Sequence, residues 1–206
     1  MNNFFHLFNK SISNFRIFQN RDNSQRFIEL LDYYNNKTVL GRFSEAKRKK
    51  IYRYQNLLTF KPNRLVKFIS YCIMPDHYHL LIKILENNIL SKYLSDIENG
   101  FSRFFNLKFN RKGPLWQSRF KAVRVRSDEQ LLHVSRYIHI NPTTSNLVNK
   151  PEQWYFSSYR DFIYDSNVLK NITEISISNI KSFKKFTENQ IDYQKTLKKI
   201  KKLAFD

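Results

Sequence analysis

The order of hydrophobic patterns along the chain predicts an α+β fold, an antiparallel sheet with helices packed on it. Three observations carry that prediction. Short runs rich in β-branched and aromatic residues alternate with longer stretches that repeat apolar residues at helical spacing. Two of the runs are separated only by Pro75-Asp76. With 41% apolar residues in 206, but only 3 glycines and 5 prolines, the chain is long enough for a real core and unlike any fibrous or low-complexity class.

Taken in order, Phe4–Phe8 and Phe15–Phe18 are apolar-aromatic runs that read as two pairing strands, with the polar residues between them as their connection. Residues 22–35 read as a helix, with Phe27, Leu30, Leu31 and Tyr34 at helical spacing. The basic stretch at Arg48-Lys49-Lys50 is expected to be a loop or an exposed helix. Arg64–Met74 and His77–Ile84 read as strands. A long helix follows over residues 85–110, set by Leu90, Tyr93, Leu94, Ile97, Phe101, Phe104 and Phe105. After a turn at Arg111-Lys112-Gly113-Pro114, Phe120–Val125 alternates as another strand.

The next helix has the clearest boundaries. Ser127 is a suitable N-cap, Gln130 completes a capping box, and Asp128 and Glu129 suit the positive end of the helix dipole. Pro142 disfavours helical geometry at Asn141, so this helix is expected to stop near there. A final helical stretch is expected around Trp154–Ile163. The pattern divides the chain into one domain over residues 1–165 and a Lys-rich extension over residues 166–206, ending in an amphipathic piece with Ile191, Leu197, Ile200 and Leu203.

Lys and Arg number 36 against 17 Asp and Glu, a net charge of +19 that favours a polyanionic partner. The excess is not confined to the extension; the expected domain is itself basic. A single cysteine, Cys72, excludes a disulfide framework and a cysteine-based metal cluster. No run is long and apolar enough for a membrane span, and the opening MNNFFHLFNK has no secretory pattern, so a soluble, cytoplasmic protein is expected.

Two groups of residues have chemical potential. On a strand, His77 and His79 project from one face with Cα atoms about 6.6 Å apart, close enough for two imidazoles to share one divalent cation. Two ordinary polar residues on a half-exposed strand would look the same. On the capped helix, His133, Tyr137 and Asn141 fall on one face, and Tyr137 lies roughly a quarter-turn from the apolar stripe of Leu131, Val134 and Ile138. A phenol at that edge packs its ring and shows its hydroxyl; a boundary aromatic fits the spacing equally well. The remaining histidines, His6, His133 and His139, read as structural or DNA-facing.

Met74-Pro75-Asp76-His77-Tyr78-His79-Leu80-Leu81 resembles the signature of the single-tyrosine HUH transposases, where U is a bulky hydrophobic residue. Gly113-Pro114-Leu115-Trp116-Gln117-Ser118-Arg119-Phe120 and Arg136-Tyr137-Ile138-His139-Ile140-Asn141-Pro142 follow in order, then Leu147-Val148, Pro151, Trp154 and Ser157-Ser158-Tyr159. That order is similar to the REP-associated tyrosine transposases over roughly residues 4–162. The resemblance implies a ferredoxin-like HUH endonuclease fold and a metal-dependent single-stranded DNA endonuclease and strand transferase acting near hairpins. It further implies Mg²⁺ or Mn²⁺ held by His77, His79 and Asn141, and Tyr137 as the nucleophile. U is Tyr78 here, which packs only if its hydroxyl finds a partner.

Arg119, Lys121, Arg124 and Arg126 are candidate phosphate contacts beside the site, and Trp116 is either a base-stacking or a core residue. A non-catalytic hairpin DNA- or RNA-binding protein on the same fold is the competing expectation, and a basic nucleoid protein a third. Monomer and homodimer both remain open.

Overall fold

A computed structural model of the protein describes residues 3–39, 41–177 and 179–205, with side chains as far as Lys198. Among the described residues four strands form: Phe4–Lys10 (β1), Val66–Ile73 (β2), His77–Ile84 (β3) and Lys121–Val125 (β4). They lie in the order β2-β3-β1-β4 with every neighbouring pair antiparallel, the ferredoxin-like arrangement. The first strand is therefore interior. Cys72, His79, Phe8 and Lys121 sit opposite one another on successive strands and form one row on one face, while Tyr78 points to the other. Both faces of β3 are covered, which is why its sequence, HYHLLIKI, is apolar through its middle instead of alternating.

On the face of Tyr78 lie the helices Arg21–Tyr34 (α1) and Leu90–Lys108 (α3), with a short helix, Phe43–Arg48 (α2), that buries Phe43 and Ala46 beside them. The two long helices approach closely at Gly100, where an added Cβ would lie 3.4 Å from Leu30 Cδ2. Tyr78 is fully buried against Phe27, and its hydroxyl donates to Glu98 Oε1 at 2.7 Å. The aromatic U position thus has the partner it needs.

The opposite face carries Asp128–Thr144 (α4) and Tyr159–Tyr164 (α5). Ser127 caps α4 by accepting from Gln130 N at 3.1 Å, and Gln130 Oε1 accepts in return from Arg126 N. The helix ends near Asn141, three residues past it. It runs through Pro142 to Thr144, because the proline removes one N–H only a turn from the end, and residues 138–144 are held by burial.

Two expectations are corrected. Phe15–Phe18 is not a strand: β1 is already paired on both sides, and Ser13 and Asn14, both left-handed (φ 51° and 55°), turn the chain out of the sheet. Trp154 is not helical either. It closes a 3-10 turn over Pro151–Gln153, and its indole Nε1 donates to Ile73 O at 2.9 Å. Residues 154–158 run along the outer edge of β2, with Phe156 O accepting from Ile73 N, and so cover backbone groups an edge strand would leave open.

Beyond Asp165 the chain folds back through Ser166–Asn171 (α6), Ile180–Glu188 (α7) and Ile191–Phe205 (α8). Leu169, Ile172, Ile175 and Phe183 join the same core, and the Phe183 ring stacks on Phe162 at 5.0 Å. His139 is fully buried among Tyr159, Phe162 and Phe183, with Nε2 2.8 Å from Ser158 Oγ, so its role is structural. The side chains of Ile200 and Leu203 lie outside the described residues.

Candidate active site

A cavity opens where β1, β3 and β4 meet α4, lined by Phe8, Asn9, Lys10, His77, His79, Gln117, Ser118, Lys121 and Tyr137. His77 and His79 reach it because they are two residues apart on β3. Their ring centroids are 5.0 Å apart and the rings nearly perpendicular. Tyr137 arrives from α4, its ring 5.4 Å from His79 and edge-on to it. Burial pushes its phenol above the ordinary value, although 37% of the residue remains exposed.

Each imidazole is oriented from behind. His77 Nδ1 is 2.6 Å from Asp76 Oδ1, and His79 Nδ1 is 3.0 Å from His6 Nε2. Burial works to raise the Asp76 carboxyl, but its bond to His77 and the charges of His77 and Lys10 outweigh it and hold it low. Burial, with His77, His6 and Lys198 nearby, keeps His79 well below its ordinary value, and burial lowers His6 to about 4. Both are neutral rings at pH 7. In the neutral form of both rings, with His77 Nδ1 donating to Asp76 and His79 Nδ1 to His6, the two Nε2 lone pairs are left for a ligand.

That donor set fits a divalent cation. Two imidazoles, each held through Nδ1, supply two ligands, and among the described residues no group of three His, Cys, Asp or Glu closes the coordination sphere. Asn141 is one turn beyond Tyr137, but it does not line the cavity. Its Oδ1 accepts from Lys198 Nζ on α8 at 3.0 Å and from Ser145 Oγ at 3.2 Å. Lys198 also reaches Thr144 and Ser145, and α8 is thereby fastened to the end of α4.

The basic candidates separate by position. Lys121 lines the cavity, and Arg124, three residues along β4, points to the opposite face. Arg119 and Arg126 flank β4 and are exposed. Trp116 is packed on the far side of the sheet among Phe18, Phe27, Tyr78 and Phe101, with Nε1 donating to Glu98 O, so its ring serves the core. His133 lies on α4 against Arg136 and Phe186, away from the cavity.

Sequence reasoning assigned no role to Asp76, which stands within the quoted motif, and left His6 without a site. Adjacency to His77 was a signal for Asp76. The role of His6 depends on strand register, which pairs Phe8 with His79 and which no local pattern encodes.

The comparisons agree with this architecture. Residues 46–141 match the family model described as "Transposase IS200 like". A curated REP-associated tyrosine transposase of Haemophilus influenzae is 28% identical over 101 residues, covering 44% of this chain and 57% of that protein. The chain thus spans little more than half the length of that relative. The solved structure of a REP-associated tyrosine transposase bound to a REP hairpin shares the fold, with a TM-score of 0.55 and 19% identity over 80% of this chain and 82% of that one. Over residues 46–141 the chain thus matches the IS200-like transposase model, and it is similar to REP-associated tyrosine transposases in sequence and in its βαββαβ core.

Proposed function

We propose that the protein is a metal-dependent single-stranded DNA endonuclease and strand transferase that works near hairpins through a 5′-phosphotyrosine intermediate. One observation carries the reading: the Tyr137 ring lies against His79 in a cavity that also holds His77, Lys10 and Lys121.

The residues divide the work. His77 and His79 hold Mg²⁺ or Mn²⁺ through their Nε2 atoms, with Asp76 and His6 fixing the rings. Asn141 would be the third ligand through the Oδ1 that now accepts from Lys198 Nζ, and the remaining positions would go to phosphate oxygens and water. When bound, the cation supplies Lewis-acid polarisation of the scissile phosphate. A phenol with pKa near 10 is only about 0.1% ionised at pH 7, and burial of Tyr137 lowers that fraction further, so placement of the nucleophile matters most. Tyr137 Oη bonds to phosphorus as the bond to the 3′ oxygen breaks; the phenol loses its proton and the 3′ oxygen gains one. Lys10 and Lys121 face the phosphates. One phosphodiester replaces another, so rejoining needs no nucleotide triphosphate.

The partner is single-stranded or hairpin DNA, met in the cytoplasm. No described helix is long and apolar enough to cross a membrane. The test is incubation with labelled single-stranded hairpin DNA and Mn²⁺, followed by denaturing electrophoresis. A covalent adduct that is lost in Tyr137→Phe and with EDTA is the expected result. Tight hairpin binding with no adduct under any divalent ion overturns the catalytic reading in favour of a binding protein.

A further inference from the structure

At the end of α3, on the other side of the sheet from the cavity, two phenylalanines are presented to solvent on a rigid base. Phe15 and Phe109 are 50% and 49% exposed, and both rest on Phe105, which is buried in the core. The Phe15 ring meets Phe105 edge-on at 5.9 Å, and Phe109 lies over Phe105 at 4.5 Å. Unusual backbone fixes both: Ser13 and Asn14 are left-handed just before Phe15, and Asn110 (φ 46°) is left-handed just after Phe109. Side-chain-bearing residues seldom adopt that geometry, and its concentration beside two exposed rings points to a use for them.

The surroundings are cationic. Arg16 and Lys112 are exposed, and among the described residues their charged groups have no hydrogen-bond or ion-pair partner. Arg111 ties the turn that carries Lys112 by donating to Asn106 Oδ1, Gly113 O and Pro114 O. Lys108 lies over Phe109 and is paired with Asn23 and, more loosely, Asp22. The two turns join the cavity directly. Ile12 N donates to Leu115 O and Gln117 N to Lys10 O, and Gln117 and Lys10 are cavity residues.

We propose that Phe15 and Phe109 form a stacking platform for unpaired nucleobases, with Arg16 and Lys112 on the adjoining phosphates, extending the DNA path beyond the catalytic cavity. Flat rings among cations suit single-stranded nucleic acid, whose bases offer apolar faces and whose backbone is anionic. A second copy of the chain would bring like charges face to face. The inference rests on the reading of this protein as DNA-acting, but not on cleavage.

The test uses fluorescence anisotropy with the Tyr137→Phe protein, which keeps the DNA intact, and labelled oligo(dT) beside an abasic strand of equal length. Phe15→Ala and Phe109→Ala are each expected to weaken oligo(dT) binding roughly tenfold and to leave abasic binding unchanged. Phe15→Trp, which retains a flat ring, should keep the parent affinity and so separates stacking from misfolding. Arg16→Gln should weaken both strands alike and reduce the salt slope by about 0.7. The double alanine variant binding oligo(dT) as tightly as its parent overturns the proposal, as does equal loss on both strands. So does a dimer that this variant splits without altering DNA affinity. Absence of an adduct in the cleavage assay, with base-dependent binding intact, would remove the proposed chemistry and leave the platform standing.

Discussion

At the scale of single residues, the cavity is governed by what stands behind each ligand atom. Asp76 and His6 do not line the cavity, yet each fixes one imidazole. Asp76→Asn is expected to weaken Mn²⁺ binding by about 10–100-fold while leaving the fold intact, measured by titration calorimetry. His139 makes a separate prediction. Burial lowers it to about 3, so from its unfolded value near 6.5 downwards the unfolded chain binds a proton that the folded chain refuses. Its contribution is present above pH 6.5 and is lost on acidification, by about 1.4 kcal/mol per pH unit until the folded value is reached. Urea midpoints at pH 7.5 and 5 should differ accordingly, and His139→Gln should flatten that part of the difference. The sequence leaves His139 between a structural and a DNA-facing role, and its packing against Phe162 and Phe183 makes it a core residue.

At the scale of elements, caps, turns and apolar periods predicted well wherever local chemistry decides. β3 was read to its exact bounds, and the N-terminus of α4 follows from Ser127 and Gln130. Ser127→Ala should cost about 1 kcal/mol, read from thermal or urea unfolding. Elements depart from the local signal where tertiary structure overrides it. Pro142 sits inside α4 because burial holds the turn, and Phe15–Phe18 finds no free edge beside a strand already paired twice. The site shows the same division. Histidines two apart on one strand were readable as a pair, but the Lys198 hold on Asn141 joins residues 57 apart in sequence and depends on where α8 docks.

For the whole molecule, the Lys-rich C-terminal stretch is part of the folded body as well as its charge. Phe183 is 1% exposed between α4 and α5, so Phe183→Ala should cost about 3–5 kcal/mol, and removing everything after Asp165 should lower the unfolding temperature sharply. The +19 charge predicts DNA affinity that falls steeply as salt rises, a dependence that direct titration at several ionic strengths would measure. The tyrosine and both imidazoles belong to the same polypeptide, with the Tyr137 ring within 5.4 Å of His79. Under the proposed chemistry one copy therefore owns a complete set of tools and keeps hold of the end it has cut. Mixing a Tyr137→Phe protein with a His77→Ala/His79→Ala protein should rescue nothing, since neither can lend the other its missing part.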